Sequence, residues 1–221
     1  MRRVAAVIVA AGEGRRFGAA KQFAVFREKL ILDWSIEAFE LHDSVDDIIL
    51  VLPDEGEREK YLARFEKVSE VVRGGRRRQD SVVHGFERVN AEETRIVLIH
   101  DGVRPLVGRE LISRVIEETQ RSGAAIPAVP VEDTIKEGEQ GRVVRTLDRS
   151  RLYRVQTPQG FSYSILEKAL RQAQQEGYYA SDEAGLVERL GYQVALVEGD
   201  PRNIKITTPT DLKLAEALSG E

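Results

Sequence analysis

Val4-Ala5-Ala6-Val7-Ile8-Val9-Ala10-Ala11 runs directly into Gly12-Glu13-Gly14-Arg15-Arg16-Phe17-Gly18-Ala19-Ala20-Lys21-Gln22. The first half is an unbroken apolar run rich in Val and Ile, the pattern of a central strand covered on both faces. The second half is a glycine-rich loop with three cations, Arg15, Arg16 and Lys21. In open parallel sheets, ligands bind at the carboxyl ends of strands, where this loop sits. Glycines let backbone N–H groups come close to phosphate oxygens, and the cations stand within reach of the same anion. A Walker A loop is excluded, because no Gly-Lys pair is followed by Ser or Thr. The dinucleotide fingerprint wants its third glycine where Phe17 stands. A dinucleotide pyrophosphate rests mainly on backbone N–H groups and a helix dipole, so three cations suit a nucleoside triphosphate better. The plain alternative is a glycine-rich turn with solvated arginines.

Outward from this loop, helix-like and strand-like patterns alternate. Leu30 to Leu41 has helical spacing, with Leu30, Trp34, Ala38 and Leu41 on one face. Asp47 to Leu52 reads as a strand, Glu55 to Phe65 as a helix, and Glu70 to Val72 as a strand. Asp80 to Val89 reads as a helix capped by Asp80 or Ser81, and Arg95 to His100 as a buried strand. Arg109 to Ser122 is a helix closed by Gly123. Val131 to Lys136 and Val143 to Asp148 then read as a hairpin around Glu137 to Gly141. A helix from Ser164, with Glu167 completing a capping box, ends near Gly177, and another runs from Ser181 to Gly191. Gln193 to Val197 reads as a strand, and Thr208-Pro209 opens a last helix with Pro at its first position. The expected fold class is α/β: a Rossmann-like, mostly parallel sheet flanked by helices. A protruding β-hairpin arm is expected at about 131–157, within a single domain over 1–221.

Composition narrows the function classes. The 221 residues carry 33 Lys plus Arg against 37 Asp plus Glu, a formal charge of −4, which argues against a nucleic-acid binder. There is no Cys, so disulfides, thiolate metal sites and a Cys nucleophile are ruled out. No apolar run approaches the roughly 18 residues of a membrane span, and the run after Met1-Arg2-Arg3 is too short for a secretory leader. The expected compartment is the cytoplasm.

Further constellations stand where strands should end. Gly74-Gly75-Arg76-Arg77-Arg78-Gln79-Asp80-Ser81 precedes a helix; taken alone it is a basic turn. Ile99-His100-Asp101-Gly102-Val103-Arg104-Pro105 follows a strand. Asp101 there could cap a turn or hold Mg²⁺ on phosphates, because Mg²⁺ takes oxygen ligands and keeps most of its water. His100 invites a reading as a base, but a His at this place more often packs beside the site. Ser181-Asp182-Glu183 reads as a helix cap with acids in the first turn.

Together the segments resemble the 2-C-methyl-D-erythritol 4-phosphate cytidylyltransferase family of nucleotidyltransferases, over nearly the whole chain and in order. The resemblance rests on the first loop, the Gly-Gly…Arg…Asp-Ser segment, His-Asp…Arg-Pro at 100–105, Thr157-Pro158-Gln159 and Asn203-Ile204-Lys205-Ile206-Thr207. It implies that Arg16, Lys21 and Lys205 are catalytic. It implies CTP contacts from Ala10, Ala11, Gly12, Gly14, Arg15, Arg16, Lys21, Gly75, Arg78, Asp80, Ser81, Asp101 and Gly102. It gives the acceptor, a phosphorylated polyol, to Asp101, Arg104, Thr134, Arg149, Ser181 and Lys205, with Mg²⁺ or another divalent cation near Asp101. Thr134 and Arg149 would reach the neighbour's site across a homodimer formed by the arm. The chain departs from the family pattern at Ala20, Arg76, Gly102-Val103 and Ser181. The implied reaction joins CMP to methylerythritol 4-phosphate. A ribitol 5-phosphate cytidylyltransferase, a sugar 1-phosphate nucleotidyltransferase and a non-catalytic nucleotide-binding protein of the same fold are the competing readings.

Overall fold

The computed structural model describes residues 3–12, 14, 17, 18 and 20–220. Strand β1 (Arg3–Val9) is the opening apolar run. Its pleat sends Val4, Ala6 and Ile8 into one apolar layer and Ala5 and Val7 into the other, so both faces demand apolar residues. After the first loop come a short 3-10 turn (Lys21–Phe23), a two-stranded ribbon β2 (Val25–Phe26) and β3 (Lys29–Leu30), and helix α1 (Ile31–Glu40). The chain continues through β4 (Asp47–Leu52), α2 (Arg58–Arg64), β5 (Val68–Arg73), α3 (Arg78–Phe86), β6 (Thr94–Asp101) and α4 (Arg109–Ser122) to β7 (Ala124–Pro130). The hairpin β8 (Lys136–Glu139) and β9 (Arg142–Thr146) follows, then β10 (Tyr153–Val155), β11 (Gln159–Ser162), α5 (Tyr163–Glu176), α6 (Glu183–Arg189), β12 (Ala195–Glu198) and α7 (Pro209–Leu218).

In the main sheet β5, β4, β1 and β6 lie side by side, all parallel. Strand β11 inserts antiparallel between β6 and β7, β10 pairs antiparallel with β7, and β12 pairs parallel with it. Helices α1, α2 and α4 cover one face and α3, α5 and α6 the other, giving two separate apolar layers. Helix α3 comes unusually close to the sheet. A Cβ on Gly85 would stand 2.5 Å from Val7 Cγ1 and 2.7 Å from Val51 Cγ2, so only glycine permits that approach. No helix among the described residues is long and apolar enough to cross a membrane.

The alternating α/β layout and mostly parallel sheet agree with the sequence pattern; several local expectations do not. The buried face of α1 is Ile31, Leu32, Ser35, Ile36 and Phe39, while Leu41, expected on that face, is exposed beyond the helix end. The expected set marks the flank of the helix, because the sheet is met by residues one position further on. The capping box at Ser164 and Glu167 is not made: Tyr163 is already helical and Ser162 holds the cap position. Helix α3 is capped at Arg77, with Asp80 in its first turn accepting from the Arg77 N–H at 2.9 Å. Asp182, not Ser181, caps α6, its Oδ1 accepting from the Gly185 N–H at 3.0 Å. The hairpin is present and exposed on both strands, but its pairing begins at Lys136, and the turn is Gln140-Gly141, both at positive φ. Strand β11 was not foreseen: Gln159 to Ser162 has too little β-branched character to stand out, and burial between two strands makes it one.

Candidate active site

The carboxyl ends of β1 and β6 and the start of α3 border a cleft of about 730 Å³. Ala10, Ala11, Gly12 and Lys21 line it from the first loop, Gly75 to Arg78 and Ser81 from the second, and Asp101, Val103 and Lys205 from the floor. These are the places where parallel strands leave room between their crossovers.

Local bonding holds both loops. Gln22, nearly fully buried, donates from Nε2 to the Gly12 carbonyl at 3.2 Å and folds the first loop back on itself. Ser81 Oγ accepts from the Gly75 N–H at 3.0 Å and donates to the Arg77 carbonyl at 3.1 Å, closing the second loop over the start of α3. Gly74 packs against the first loop there: a Cβ would fall 2.1 Å from Ala11 Cβ. The Arg77 guanidinium lies over the Tyr179 ring, 3.7 Å from its centroid.

Asp101 is the electrostatic centre. Its Oδ1 accepts from Arg78 Nε at 2.9 Å, and its Oδ2 lies 2.9 Å from Lys205 Nζ and 3.5 Å from Arg104 Nε. Burial pushes this carboxyl up, but the charges of Arg78, Lys205 and Arg104 outweigh it and hold it well below the usual carboxylate range. Asp101 is therefore ionised at any working pH. Arg78 also donates from Nη1 to both carboxylate oxygens of Glu183, each at 2.8 Å. Arg104 is buried and donates from Nη1 to the Asn203 carbonyl at 2.8 Å. Asn203, fully buried, donates from Nδ2 to the Thr157 carbonyl at 2.8 Å, and the Ile206 N–H bonds the Val103 carbonyl at 2.9 Å. Lys205 thus sits between two anchored residues and projects onto Asp101.

His100 is fully buried and tilted against Phe39, with ring centroids 4.8 Å apart. Its Nδ1 lies 3.1 Å from Thr157 Oγ1, which also accepts from the Asp101 N–H at 3.1 Å. Burial lowers its pKa to about 3, so it stays neutral. It packs behind the site and lines no part of the cleft.

The structure brings together Ala10, Ala11, Gly12, Lys21, Gly75, Arg78, Ser81, Asp101 and Lys205 from the residues expected at the site. Arg104 stands behind Asp101, Gly102 packs against Ala10 and Leu32, and Asp80 turns its carboxylate onto the α3 cap. Gly14 is described, away from the cleft lining, and accepts turn bonds from Phe17 and Gly18. Ser181, Thr134 and Arg149 are exposed and line no part of this cleft; Arg149 donates to the Glu132 carbonyl within the arm. Arg15 and Arg16 lie outside the described residues. Sequence reasoning missed Gln22, Arg77 and Glu183. The signal for Glu183 was a carboxylate in a helix's first turn, which ordinarily needs no explanation beyond the helix dipole.

The model of the family described as 2-C-methyl-D-erythritol 4-phosphate cytidylyltransferase matches residues 4–221. The chain belongs to that family. A 2-C-methyl-D-erythritol 4-phosphate cytidylyltransferase from Geotalea uraniireducens is 46% identical over 225 residues, covering 98% of this chain and 96% of the relative. One from Bacillus velezensis is 45% identical over 220 residues, covering 96% and 94%. The crystal structure of the enzyme of that name from Thermus thermophilus superposes with a TM-score of 0.82 at 39% identity, covering 96% of this chain and 97% of the other. The 2-C-methyl-D-erythritol 4-phosphate cytidylyltransferase family is thus matched along the whole sheet and both loops that border the cleft.

Proposed function

We infer that this chain is a cytidylyltransferase enzyme that transfers CMP from CTP to 2-C-methyl-D-erythritol 4-phosphate, a step of isoprenoid biosynthesis. The observation that carries the reading is the cleft at the ends of β1 and β6, where Arg78 and Lys205 pair with Asp101, its one carboxylate among the described residues, and Lys21 lines the same cleft. An oxygen of the acceptor phosphate attacks the α-phosphorus of CTP. A new P–O bond forms there, the bond to the β-phosphate bridging oxygen breaks, and pyrophosphate leaves with that electron pair. Two anions must meet, so the cations of the cleft do the main work, by positioning and by stabilising charge on the phosphoryl oxygens. A phosphate monoester is already anionic near neutral pH, and no general base is required.

Mg²⁺ fits this donor set in one form. Among the described residues no cluster of three or more His, Cys, Asp or Glu side chains could enclose a metal. Mg²⁺ does not need one, since it binds through one or two carboxylates together with substrate phosphates and water. Asp101 would be that carboxylate, and the ion would supply charge neutralisation on the phosphates. Arg78 and Lys205 keep Asp101 ionised, and the ion would share its oxygens with them.

The arm supports a homodimer. Val143 and Val144 on β9 and Tyr153 and Val155 on β10 are exposed apolar residues that a second copy would cover. Thr134 and Arg149 lie on the same arm and away from their own cleft, as side chains serving the neighbour's acceptor phosphate would. A Cys-free chain of this charge suits the cytoplasm.

Pyrophosphate release with CTP, Mg²⁺ and methylerythritol 4-phosphate tests the function, run beside ribitol 5-phosphate and the other nucleoside triphosphates. Release with CTP and methylerythritol 4-phosphate is the expected result. Release only with ribitol 5-phosphate would move the acceptor; silence with every acceptor would overturn the reading.

A further inference from the structure

We propose that Glu183 is a positioning residue for the transfer reaction, acting through Arg78; the proposal rests on the cytidylyltransferase reading above. Glu183 is almost fully buried, stands behind Arg78 and is absent from the cleft lining. Both its carboxylate oxygens lie 2.8 Å from Arg78 Nη1, while Arg78 Nε lies 2.9 Å from Asp101 Oδ1. One guanidinium therefore spans two carboxylates.

That division decides what is left for the substrates. A guanidinium facing a lone carboxylate turns its planar fork to grip both oxygens. Gripped so, Asp101 Oδ2 would be shared with a third cation, and the charge of Arg78 would push on Lys205, now 2.9 Å from Oδ2. With Nη1 held by Glu183, the plane of the guanidinium is fixed, with Nε donating to Asp101 Oδ1. Oδ2 stays turned to Lys205 and the cleft.

The anchor itself is fixed. Glu183 opens α6, and buried Gln159 ties that helix start from both sides: its Nε2 donates to Asp182 Oδ2 at 2.8 Å and its Oε1 accepts from the Ala184 N–H at 3.2 Å. Gln79, next to Arg78, bonds the Tyr178 carbonyl and the Ala180 N–H, each at 3.0 Å. Burying a carboxylate costs solvation that a paired cation only offsets, so such a pair is a weak stabiliser. Its clearest effect here is geometric: it sets the angle of Arg78 at the floor of the cleft.

The full chain is compared with its Glu183→Gln, Arg78→Lys and double variants by thermal melting and steady-state pyrophosphate release. Glu183→Gln is expected to lower kcat about 10- to 100-fold while the KM for CTP stays within about 3-fold. The double variant is expected to be no slower than Arg78→Lys alone, within about 3-fold, because one residue acts through the other. Unchanged kcat in Glu183→Gln, or losses that multiply in the double variant, would overturn the proposal. Should Glu183→Gln not fold, Glu183→Asp keeps the charge and withdraws it by one methylene; it is expected to lose about 5-fold or more in kcat, and an unchanged kcat overturns the proposal equally. The Nη1 side-chain N–H of Arg78, which Glu183 accepts, followed by NMR in arginine-labelled chain, gives a reading independent of turnover. Its solvent exchange should quicken about 10-fold or more in Glu183→Gln, and an unchanged rate counts against the proposal. A wild-type chain that releases no pyrophosphate overturns the cytidylyltransferase reading instead, and the NMR result still decides whether Glu183 holds Arg78.

Discussion

Lys21 and Lys205 reach the same cleft from opposite ends of the chain, and Lys205 pairs there with buried Asp101. Replacing Lys205 by Ala should lower kcat by about 100-fold or more, and should also lower the melting temperature, because buried Asp101 loses one of its three cations. Turnover near normal would remove Lys205 from the transition state. His100 makes the opposite kind of prediction. Burial depresses its pKa from 6.5 to about 3, so the folded chain keeps it neutral while the unfolded chain protonates it. Its contribution to stability is complete above pH 6.5. It is lost as pH falls from there towards 3, by about 1.4 kcal/mol per pH unit for one proton. His42, also depressed by burial, adds to that slope, so the test compares denaturation midpoints of the parent and of His100→Gln between pH 6.5 and 5. The variant should show the shallower decline, and kcat should carry no ionisation of His100 between pH 6 and 8. At this scale the sequence revealed Lys21 and Asp101 because charge after a strand end has few other uses, and Lys205 only through the family resemblance of Asn203 to Thr207. It hid Glu183 and Arg77, whose partners stand 105 and 102 positions away: Arg78 for the one and the Tyr179 ring for the other. No local pattern reports such a pairing.

Among the elements, α3 is the one whose placement governs the site, since it carries Arg78 and Ser81 and is pressed onto β1 at Gly85. Gly85→Val should cost about 1–3 kcal/mol by overpacking against Val7 and Val51, and should weaken CTP binding by tilting the helix start. A drop in melting temperature with CTP affinity unchanged would separate the two roles. Asp182 supplies a milder test: losing its cap on α6 should cost about 1 kcal/mol. Because α6 begins with Glu183, Asp182→Ala should also slow turnover. The elements were legible wherever the apolar period was clean, as in β4, β6 and α4. They were misread where tertiary contacts set the boundary. Strand β11 exists only because β6 and β7 flank it, and the first turn of α5 begins at Tyr163, so Ser164 has no free helix end to cap.

For the whole molecule, the proposed dimer would give the arm a purpose beyond one chain. If Arg149 acts across a dimer, a mixture of Arg149→Ala and Lys21→Ala chains should regain activity that neither has alone. Each mixed dimer would then hold one intact site, so such dimers should approach about half the parental rate. No recovery would place Arg149 outside the neighbour's cleft. Val143→Asp with Val144→Asp should leave the fold intact, both positions being exposed, and should halve the mass seen by sedimentation.

The path from arm to site sets a rule about chain length. Leaving β10, the backbone passes Gln156, Thr157 and Pro158 and enters β11, where Gln159 faces Ile99 and Phe161 faces Val97 of β6. Side chains alternate faces along a strand, so one residue added or removed between Val155 and Gln159 would turn Phe161 out of its apolar layer and carry Thr157 off the Asp101 amide. The tip at Gln140-Gly141 carries no such register and tolerates added residues. Among natural or engineered versions of this chain, insertions should therefore gather at the hairpin tip and stop short of the five residues that lead back into the sheet.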